Sequence, residues 1–485
     1  MYLLPPSPRD WLPGGHLVFF ILDVIQELDL SAIEAEIQSK DPRGEQPYNP
    51  WMMVALLLYG YSVGIFSSRK LEKACYEDVA FHVLCGGCQP YYTTINDFRK
   101  RHLTALRKLF LQTLKLCKKA GMVKLGHVAL DGTKIQGNAS KHKAMSYEHM
   151  LKTELRLKKE IAELLDNADK VDAREDQQFG KDRRGDELPE ELARRESRLV
   201  KIKKAKKELE KEARLARAER LRDQARRAEK RAKTHTNPIE RKRAGTVASK
   251  KKRQAEELEL RDEDDPNAAP PFVTDDGLEK HRPRVRQDGT PHPKAQRNFS
   301  DPDSRIMESG GSFLQGYNCQ IAVDDKNQVI VGQAVTNKCP DNANLLPLLS
   351  QVIENCETAP KKLTADAGYW NRDAPKAAKV LGTEVFISPR RRKHVEVGNP
   401  PTPASLPTDA SDLERMRYKL QTEEGRAVYA RRKAIVEPVH GQIKEARGFR
   451  RFLLRGLRKV SAEFALICAT HNLLKLFRSG LRPAV

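Results

Sequence analysis

Apolar residues recur at helical spacing through the first quarter of the chain. The run "PWMMVALLLYGYSVG" is a continuous apolar block, and in "SSRKLEKACYEDVAFHVL" the residues Leu71, Cys75 and Val79 are spaced by four. A longer helix is predicted over "TTINDFRKRHLTALRKLFLQTLKLCKKAG", with one of its leading threonines as the N-cap and Gly121 at its end. The pattern therefore predicts a helical amino-terminal domain over residues 1–125.

A sparse heptad pattern follows over residues 151–262, where the composition changes to Lys, Arg, Glu, Ala and Leu. The polar stretch "FGKDRRGDELPE" separates two such segments, so a long antiparallel helical hairpin of coiled-coil type is predicted. Charged coiled coils commonly serve as spacers or dimer contacts, but the excess of Lys and Arg also suits a phosphate backbone. Both alternatives stay open. Residues 263–305 are rich in Pro, Asp and Gly and predict a linker.

The remaining pattern predicts strands and helices in alternation. "HVALDGTKI" predicts a strand before the insertion, so residues 126–150 form a first part of the core and residues 306–485 a second. In the second part, "GYNCQIAVDD" and "QVIVGQAVT" predict a hairpin, and "KKLTADAGYW" and "TEVFISP" predict two more strands. Helices are predicted over "NANLLPLLSQVIENC", over residues 425–448 with an interruption at Pro438, and over "SAEFALICATHNLLKLF", which we expect to pack on the sheet. This order indicates an α/β sheet layered with helices.

Composition adds a strong positive charge to this picture. The 485 residues carry 88 Lys and Arg against 66 Asp and Glu, a formal net charge of +22. Such an excess favours a polyanionic partner, either nucleic acid or an anionic membrane, although a merely basic soluble surface is the alternative. "HLVFFILDVI" is too short to span a bilayer, and we expect no membrane association. The 8 cysteines are expected to be reduced thiols, since "CGGC" has no second pair at zinc-ribbon spacing.

Three carboxylates stand out as candidate chemistry. Asp131 closes "HVAL", Asp366 closes "KKLTA", and each is followed by a small residue, while Glu437 is expected on a later helix. A single Asp at a strand end commonly forms a turn or caps a helix, so the inference depends on the set of three. Gathered carboxylates repel one another unless a divalent cation compensates them. Two Mg²⁺ or Mn²⁺ ions held in this way would support hydrolysis or transfer of a phosphodiester.

Several long motifs in order resemble the DDE transposases of bacterial insertion sequences, in the branch named after insertion sequence eleven eighty-two. The matching stretches are "YNPWMMVALLLYGYSVGIFSSRKLEKACYEDVAF", "TTINDFRKRH", "ALDGTKIQGNASKHKAMS", "GYNCQIAVD", "LTADAGYW", "RKAIVEPVHGQIK" and "ATHNLLKLF". The resemblance implies a ribonuclease-H-like (retroviral-integrase-like) α/β catalytic core, in which Asp131, Asp366 and Glu437 are the catalytic residues and bind two Mg²⁺ ions, with Mn²⁺ as the alternative metal.

The resemblance also implies an activity and partners. The expected protein is a Mg²⁺-dependent DNA transposase that cleaves the ends of a mobile element and joins the freed 3′ ends to target DNA. Its partners would be double-stranded DNA and, in the active complex, a second copy of the chain, in the nucleoid-associated cytoplasm of a bacterium. The alternatives are a nuclease of the same fold without strand transfer, and a DNA-binding or architectural protein that has lost catalysis.

Basic and aromatic residues around these acids are candidate DNA contacts. Related transposases have a Tyr, Arg, Glu, Lys signature, and Lys444 stands seven residues after Glu437 as the signature requires. Tyr429 and Arg432 also precede the acid, but Arg432 lies one residue too far from it. Another candidate is Lys134 just after Asp131, which could hold the DNA backbone or belong to a solvated basic loop. The last candidates are Arg99, Lys100 and Arg101, on a helix that could enter a DNA groove or form a solvated face.

Overall fold

The computed structural model describes residues 7–39, 46–179, 190–259, 272–389 and 410–481. These residues form two compact units. The first unit consists of Met1–Asn138, Thr274–Glu279 and Met307–Val485, and the second of Ala139–Val273 and Lys280–Ile306. The predicted turn "FGKDRRGDELPE" lies almost entirely outside the described residues.

The amino-terminal part of the first unit is helical, as its pattern predicts. Its helices are α1 (Leu17–Gln26), α2 (Ser31–Gln38), α3 (Pro50–Ser62), α4 (Ser68–Glu77), α5 (Val79–Cys85), α6 (Tyr92–Arg101) and α7 (Leu103–Lys119). Helix α3 is buried along most of its length, which explains its unbroken apolar run, and the Asn49 side chain caps it by accepting from the backbone N–H of Trp51 at 2.8 Å.

The helix predicted from the leading threonines to Gly121 is in fact two helices. The chain leaves helical geometry at His102, where φ is −94° and ψ is 29°. The buried His102 ring turns toward α2, and its Nδ1 lies 2.9 Å from the Glu36 carboxylate. Tyr91, not a threonine, precedes the first turn of α6. The expected end is correct, because Gly121 adopts a φ of +69° just after α7.

A six-stranded sheet forms the centre of the first unit. Its strands are β1 (His127–Gln136), β4 (Arg305–Ser309), β5 (Ser312–Asp324), β6 (Ile330–Thr336), β7 (Lys362–Ala365) and β8 (Glu384–Ile387). The order is β4-β5-β1-β7-β8, and β6 also pairs with β5. The β1–β5 and β5–β6 pairs are antiparallel, whereas β7 pairs in parallel with both β1 and β8. The predicted hairpin and the two later strands are confirmed.

Helices cover the sheet. They are α11 (Leu345–Cys356), α12 (Ala374–Val380), α13 (Asp412–Gln421), α14 (Glu423–Gly441) and α15 (Leu457–Ser479). The expectation that the last helix packs on the sheet is confirmed, because the Asn472 side chain exchanges hydrogen bonds of 2.8 and 2.9 Å with the backbone of Ile330. Helix α15 is the one described helix long and apolar enough to cross a membrane, and 89% of its apolar window is buried inside the protein.

Helix α14 does not break at Pro438, contrary to the sequence prediction. A proline removes the hydrogen bond to the carbonyl four residues earlier, which here belongs to Ala434. The Gln328 side chain supplies the missing donor, with its Nε2 3.0 Å from the Ala434 oxygen. The helix continues to Gly441 and passes into a π-helical turn over Gln442–Ala446. A tertiary contact therefore replaces the lost backbone bond.

The second unit is built on three helices: α8 (Tyr147–Phe179), α9 (Glu190–Thr234) and α10 (Pro238–Glu259), with a small sheet of β2 (Ala144–Ser146) and β3 (Gln296–Asn298). The predicted antiparallel packing of α8 and α9 is present, since Glu154 pairs with Lys206 while Glu160, further along α8, pairs with the earlier Arg195. The third helix was not predicted. Asn237 caps it through the backbone N–H of Ile239 at 2.9 Å.

Candidate active site

Asp131 lies in the middle of β1, not at its end. Val128, Ala129 and Leu130 are fully buried, and the strand continues past Asp131 to Gln136 along its antiparallel neighbour β5. On the other side, pairing with β7 stops at Ala129. Asp131 therefore stands where β1 loses one neighbour, which opens space for a polar side chain that is 20% exposed. The apolar run ends because the pairing partner ends.

Asp366 follows β7 directly, as the sequence predicts. The register pairs Ala129 with Thr364, two residues before each aspartate, and the charge of Asp131 acts on Asp366, so the two carboxylates lie near each other. The Asp366 carboxylate accepts from the backbone N–H of Gly368 at 2.9 Å and so caps a short turn. Burial, followed by the negative charges of Asp131 and Asp341, raises the pKa of Asp366. Two of the three predicted acids are thus brought together.

Helix α14 lies over this part of the sheet. His440 on that helix approaches Asp131, with 3.5 Å between Nε2 and Oδ2, and its side chain is 14% exposed. Glu437 precedes His440 by one helical turn, and its side chain is exposed to solvent. Its carboxylate is not held against the two aspartates by any contact that the structure records among the described residues. The third predicted acid is therefore on the adjacent helix, but outside the aspartate pair.

The other signature residues lie on the same side of the sheet. Tyr429 is half-buried; burial raises its pKa, while the nearby charges of Arg432 and Asp366 act in opposite directions. Arg432 also acts on the pKa of Asp366, which it lowers. Lys444 is in the π-helical turn after α14, and its ammonium donates to the backbone oxygen of Lys134 at 3.2 Å. Burial lowers the pKa of Lys444.

A further acid, Asp341, was missed at the sequence level. It lies in the loop after β6, and its Oδ1 accepts from Asn318 Nδ2 and from Gln320 Nε2, each at 2.7 Å. Lys134 adds an ammonium at 3.4 Å. In the sequence, Asp341 resembles an ordinary turn residue before a helix. The available signal was the pair Asn318 and Gln320, two amides on one face of an otherwise apolar strand, which require a buried hydrogen-bond partner.

Gly132 allows Asp341 and Gln320 to approach β1 closely. A Cβ atom at this position would lie 2.5 Å from Gln320 Nε2 and 3.0 Å from Asp341 Oδ1. Gln320 cannot easily withdraw, because its amide also donates to Asn318 Oδ1 at 2.8 Å and its Oε1 accepts from the Tyr369 hydroxyl. The glycine after Asp131 therefore has a specific role: it keeps the polar network in contact with the strand.

Gly132→Ala is expected to reduce the catalytic rate of this candidate site by about tenfold or more while leaving the fold intact, because a shift of about 1 Å in active-site groups is costly. The measurement is the single-turnover cleavage rate, with thermal unfolding as the folding check. Gly126→Ala is the matched control, since no atom lies within 4 Å of a Cβ built there. Equal rates for the two variants would contradict the role given to Gly132.

The amino-terminal candidates separate into buried and exposed residues. Arg99 is 3% exposed and donates to the Tyr61 hydroxyl and the Phe66 backbone oxygen, both at 2.9 Å. It has no surface to offer to DNA, and we do not retain it as a DNA contact. Lys100 and Arg101 are exposed, and Lys100 pairs with Asp97 at 3.4 Å. A basic cluster in the sequence thus has one buried and two exposed members.

The donor set suits a hard divalent cation, although it is not arranged as a finished metal site. Among the described residues, no group of three or more His, Cys, Asp or Glu side chains could hold a metal ion as they stand. Asp131, Asp366 and Asp341 nevertheless supply carboxylate oxygens, and the raised pKa of Asp366 reflects, beside burial, repulsion that a cation would relieve. The residues therefore fit Mg²⁺ or Mn²⁺ in chemical type.

Two family models match parts of the chain. One, described as "Transposase DDE domain", matches residues 405–477, which include α13, α14 and most of α15. The other, described as "Transposase domain (DUF772)", matches residues 6–101 in the helical amino-terminal part. No curated protein and no solved structure matches the chain.

The two matches agree with each other and with the site. The DDE domain match contains Glu437 and Lys444 on the helix and turn beside the aspartates, and the second match covers the helices that include Lys100 and Arg101. The mixed α/β fold, helical in its amino-terminal part and with a sheet further along, suits such a domain. Together the two matches indicate a DNA transposase in general, with a domain of the DDE type over residues 405–477.

Proposed function

We propose that this transposase binds the ends of a mobile element, cleaves phosphodiester bonds there, and joins the freed 3′ ends to target DNA. The main support is the juxtaposition of Asp131 and Asp366 on adjacent parallel strands, with α14 alongside. Burial and mutual repulsion raise the pKa of Asp366, as expected of carboxylates arranged to share a cation. The long motifs that resemble the branch named after insertion sequence eleven eighty-two support an assignment to that branch.

The catalytic core is proposed to be ribonuclease-H-like. The supporting observation is the sheet order, in which an antiparallel β6-β5-β1 set continues into the parallel strands β7 and β8. In an α/β sheet, functional groups collect where strands end, and Asp366 is at such a position beside Asp131. This strand order supports the proposed core because it brings together Asp131, which precedes the helical insertion in the sequence, and Asp366, which follows it.

Asp131, Asp366 and Glu437 are proposed as the catalytic residues and the ligands of two Mg²⁺ ions, for which Mn²⁺ could substitute. DDE transposases usually use divalent metals, and bound ions would activate the attacking oxygen and stabilise the leaving oxygen. Glu437 is one helical turn from His440, so a rotation of its long side chain would bring its carboxylate toward Asp131. Asp341 and its amide partners would keep the β1 edge in position.

The surrounding cations are proposed to hold the DNA backbone. Lys444 lies beside Lys134 of β1, and burial lowers the pKa of Lys444, so an approaching phosphate would favour its charged form. Arg432 and Tyr429 lie near Asp366 and would contact the DNA strand bound there. Lys100 and Arg101 are proposed to contact the element ends, with a second copy of the chain holding the other end. The proposed location is the bacterial cytoplasm.

The test is cleavage of a DNA fragment that carries the element ends. With Mg²⁺, the full-length protein is expected to cut at those ends and join them to a target plasmid, while addition of EDTA abolishes both reactions. Cutting without joining would instead indicate a nuclease, and specific binding without cutting would indicate an architectural protein. Gel analysis of end-labelled DNA separates the three outcomes, with a fragment lacking the ends as the control.

A further inference from the structure

The turn between α9 and α10 has an unusual concentration of positive charge. From residue 224 to residue 251 the sequence contains ten Lys and Arg against two Glu, Glu229 and Glu240. Both acids are already paired, Glu229 with Lys252 at 2.6 Å and Glu240 with Arg243 at 2.9 Å. We refer to this segment, residues 224–251, as the hairpin tip, because α9 and α10 form a second helical hairpin that turns there. Its positive charge is therefore poorly compensated within the second unit.

The body of the second unit differs sharply from the tip. Buried Arg297 pairs with Glu208 and Glu212, each at 2.6 Å, and Arg282 pairs with Glu219 at 2.8 Å. These ion pairs attach α9 to the segment that follows α10. At the tip, by contrast, most cations are exposed and form no ion pair within the part of the chain that the structure describes; these are Arg227, Lys230, Arg231, Lys233, Arg241, Lys242 and Lys250.

The tip is nevertheless a built surface. Small residues, including the fully buried Ala225 and the 3% exposed Ala248, allow α9 and α10 to pack closely. A cleft of about 590 Å³ lies between the two helices, with Ala228, Ala244 and Val247 among its lining residues. Its charged lining consists of Arg227, Arg231, Arg243 and Lys251, with His235 beside them and Glu240 as the one acid among its lining residues. Four cations thus face a single concave surface.

We propose that this cleft binds the sugar-phosphate backbone of duplex DNA without reading its sequence. The proposal rests on the proposed function, which supplies the DNA, and extends it to a second contact region in the second unit. Guanidinium and ammonium groups release counterions when they neutralise phosphates, and this favours binding to any sequence. Arg227 and Arg231 are exposed and can do this without first breaking an ion pair, whereas Arg243 would first have to leave Glu240.

The test compares two quadruple variants of the full-length chain. The cleft variant is R227Q/R231Q/R243Q/K251Q. The matched control is K201Q/K203Q/K204Q/K207Q, which removes four exposed cations from the earlier part of α9, outside the cleft. Glutamine preserves helix propensity in both. The readout is fluorescence anisotropy with a labelled duplex of random sequence, titrated over a range of salt concentrations.

The cleft variant is expected to bind about tenfold or more weakly, with a salt slope reduced by about 0.9 for each phosphate that is no longer neutralised, while the control stays near the wild type. Equal weakening of both variants would mean that only the net charge of the chain matters. Unchanged binding by the cleft variant would mean that the cleft does not bind DNA. Either result overturns the proposal. So would a change of oligomeric state with unchanged DNA binding, which would make the cleft a contact between copies.

Failure of this inference can be distinguished from failure of the proposed function. If the wild type cleaves element ends and the cleft variant binds DNA as the wild type does, only the cleft assignment is wrong. If the wild type binds random duplex through the cleft but never cleaves, the cleft assignment stands and the transposase chemistry is wrong. Wild-type protein that binds no duplex DNA would contradict both.

Discussion

Asp131→Asn and Asp366→Asn are each expected to slow DNA cleavage by about 10³-fold or more, equivalent to about 4 kcal/mol of transition-state stabilisation, while DNA binding is retained. Asparagine keeps the shape of aspartate but removes the charge that holds a divalent cation. The measurement is the single-turnover rate with end-labelled DNA and Mg²⁺, with affinity determined separately in Ca²⁺ or EDTA.

Thermal unfolding provides a control that does not depend on activity. Burial and the negative charges of Asp131 and Asp341 raise the pKa of Asp366, so its charged form is disfavoured in the metal-free fold. Asp366→Asn is therefore expected to unfold at the same temperature as the wild type or higher without metal. Mg²⁺ should raise the unfolding temperature of the wild type and not of the variants. Normal cleavage by both variants would show that these aspartates are not catalytic.

Arg99→Met is expected to destabilise the first unit by about 1–3 kcal/mol, because it removes the donor to two buried oxygens, Tyr61 Oη and the Phe66 carbonyl, and the positive charge near buried Glu463. Glu463 on α15 is 3% exposed and accepts from the backbone N–H groups of Leu453 and Leu454 at 3.0–3.2 Å. Burial raises the pKa of Glu463 and the nearby Arg99 lowers it. Urea unfolding followed by tryptophan fluorescence measures the effect, since all three tryptophans belong to the first unit.

Two comparisons test this explanation. Lys100→Met on the same helix removes only an exposed ion pair and should cost no more than about 0.5 kcal/mol. The double variant R99M/E463Q should recover much of the loss, because no unpaired charge remains. Protonation of Glu463 removes the buried negative charge that Arg99 stabilises. The difference in unfolding free energy between the wild type and Arg99→Met should therefore shrink as the pH falls. A loss independent of Glu463 would mean that Arg99 acts through packing alone.

The secondary structure followed from local patterns wherever one physical cause dominated. Strand β5 alternates poorly but is rich in β-formers between turn residues, and it formed as predicted. The misplaced boundaries had tertiary causes. His102 leaves helical geometry where its ring meets Glu36, and Pro438 stays helical because Gln328 satisfies the carbonyl of Ala434. Neither partner is close in sequence, so a local pattern does not contain the information.

The candidate site shows the same division. Asp366 was identified from the apolar run it ends, and that strand does end there. Asp131 looked similar, but its strand continues because β5 still pairs with it after β7 has ended. Asp341 was missed, since its importance comes from Asn318 and Gln320 on a strand about twenty residues earlier in the chain. In the sequence, Arg99 is indistinguishable from its exposed neighbours Lys100 and Arg101. Its burial against Tyr61 is what makes it different.

By itself, the sequence determined the excess of positive charge, most of the strands and helices, the α/β class, and two of the clustered aspartates, because composition and periodicity are properties of neighbouring residues. Only the tertiary structure decided that Asp131 on β1 and Asp366 just after β7 lie near each other, that Asp341 joins them, and that four cations share one cleft in the hairpin tip. Strand register and helix packing set these distances, and both arise from contacts between residues far apart in the chain.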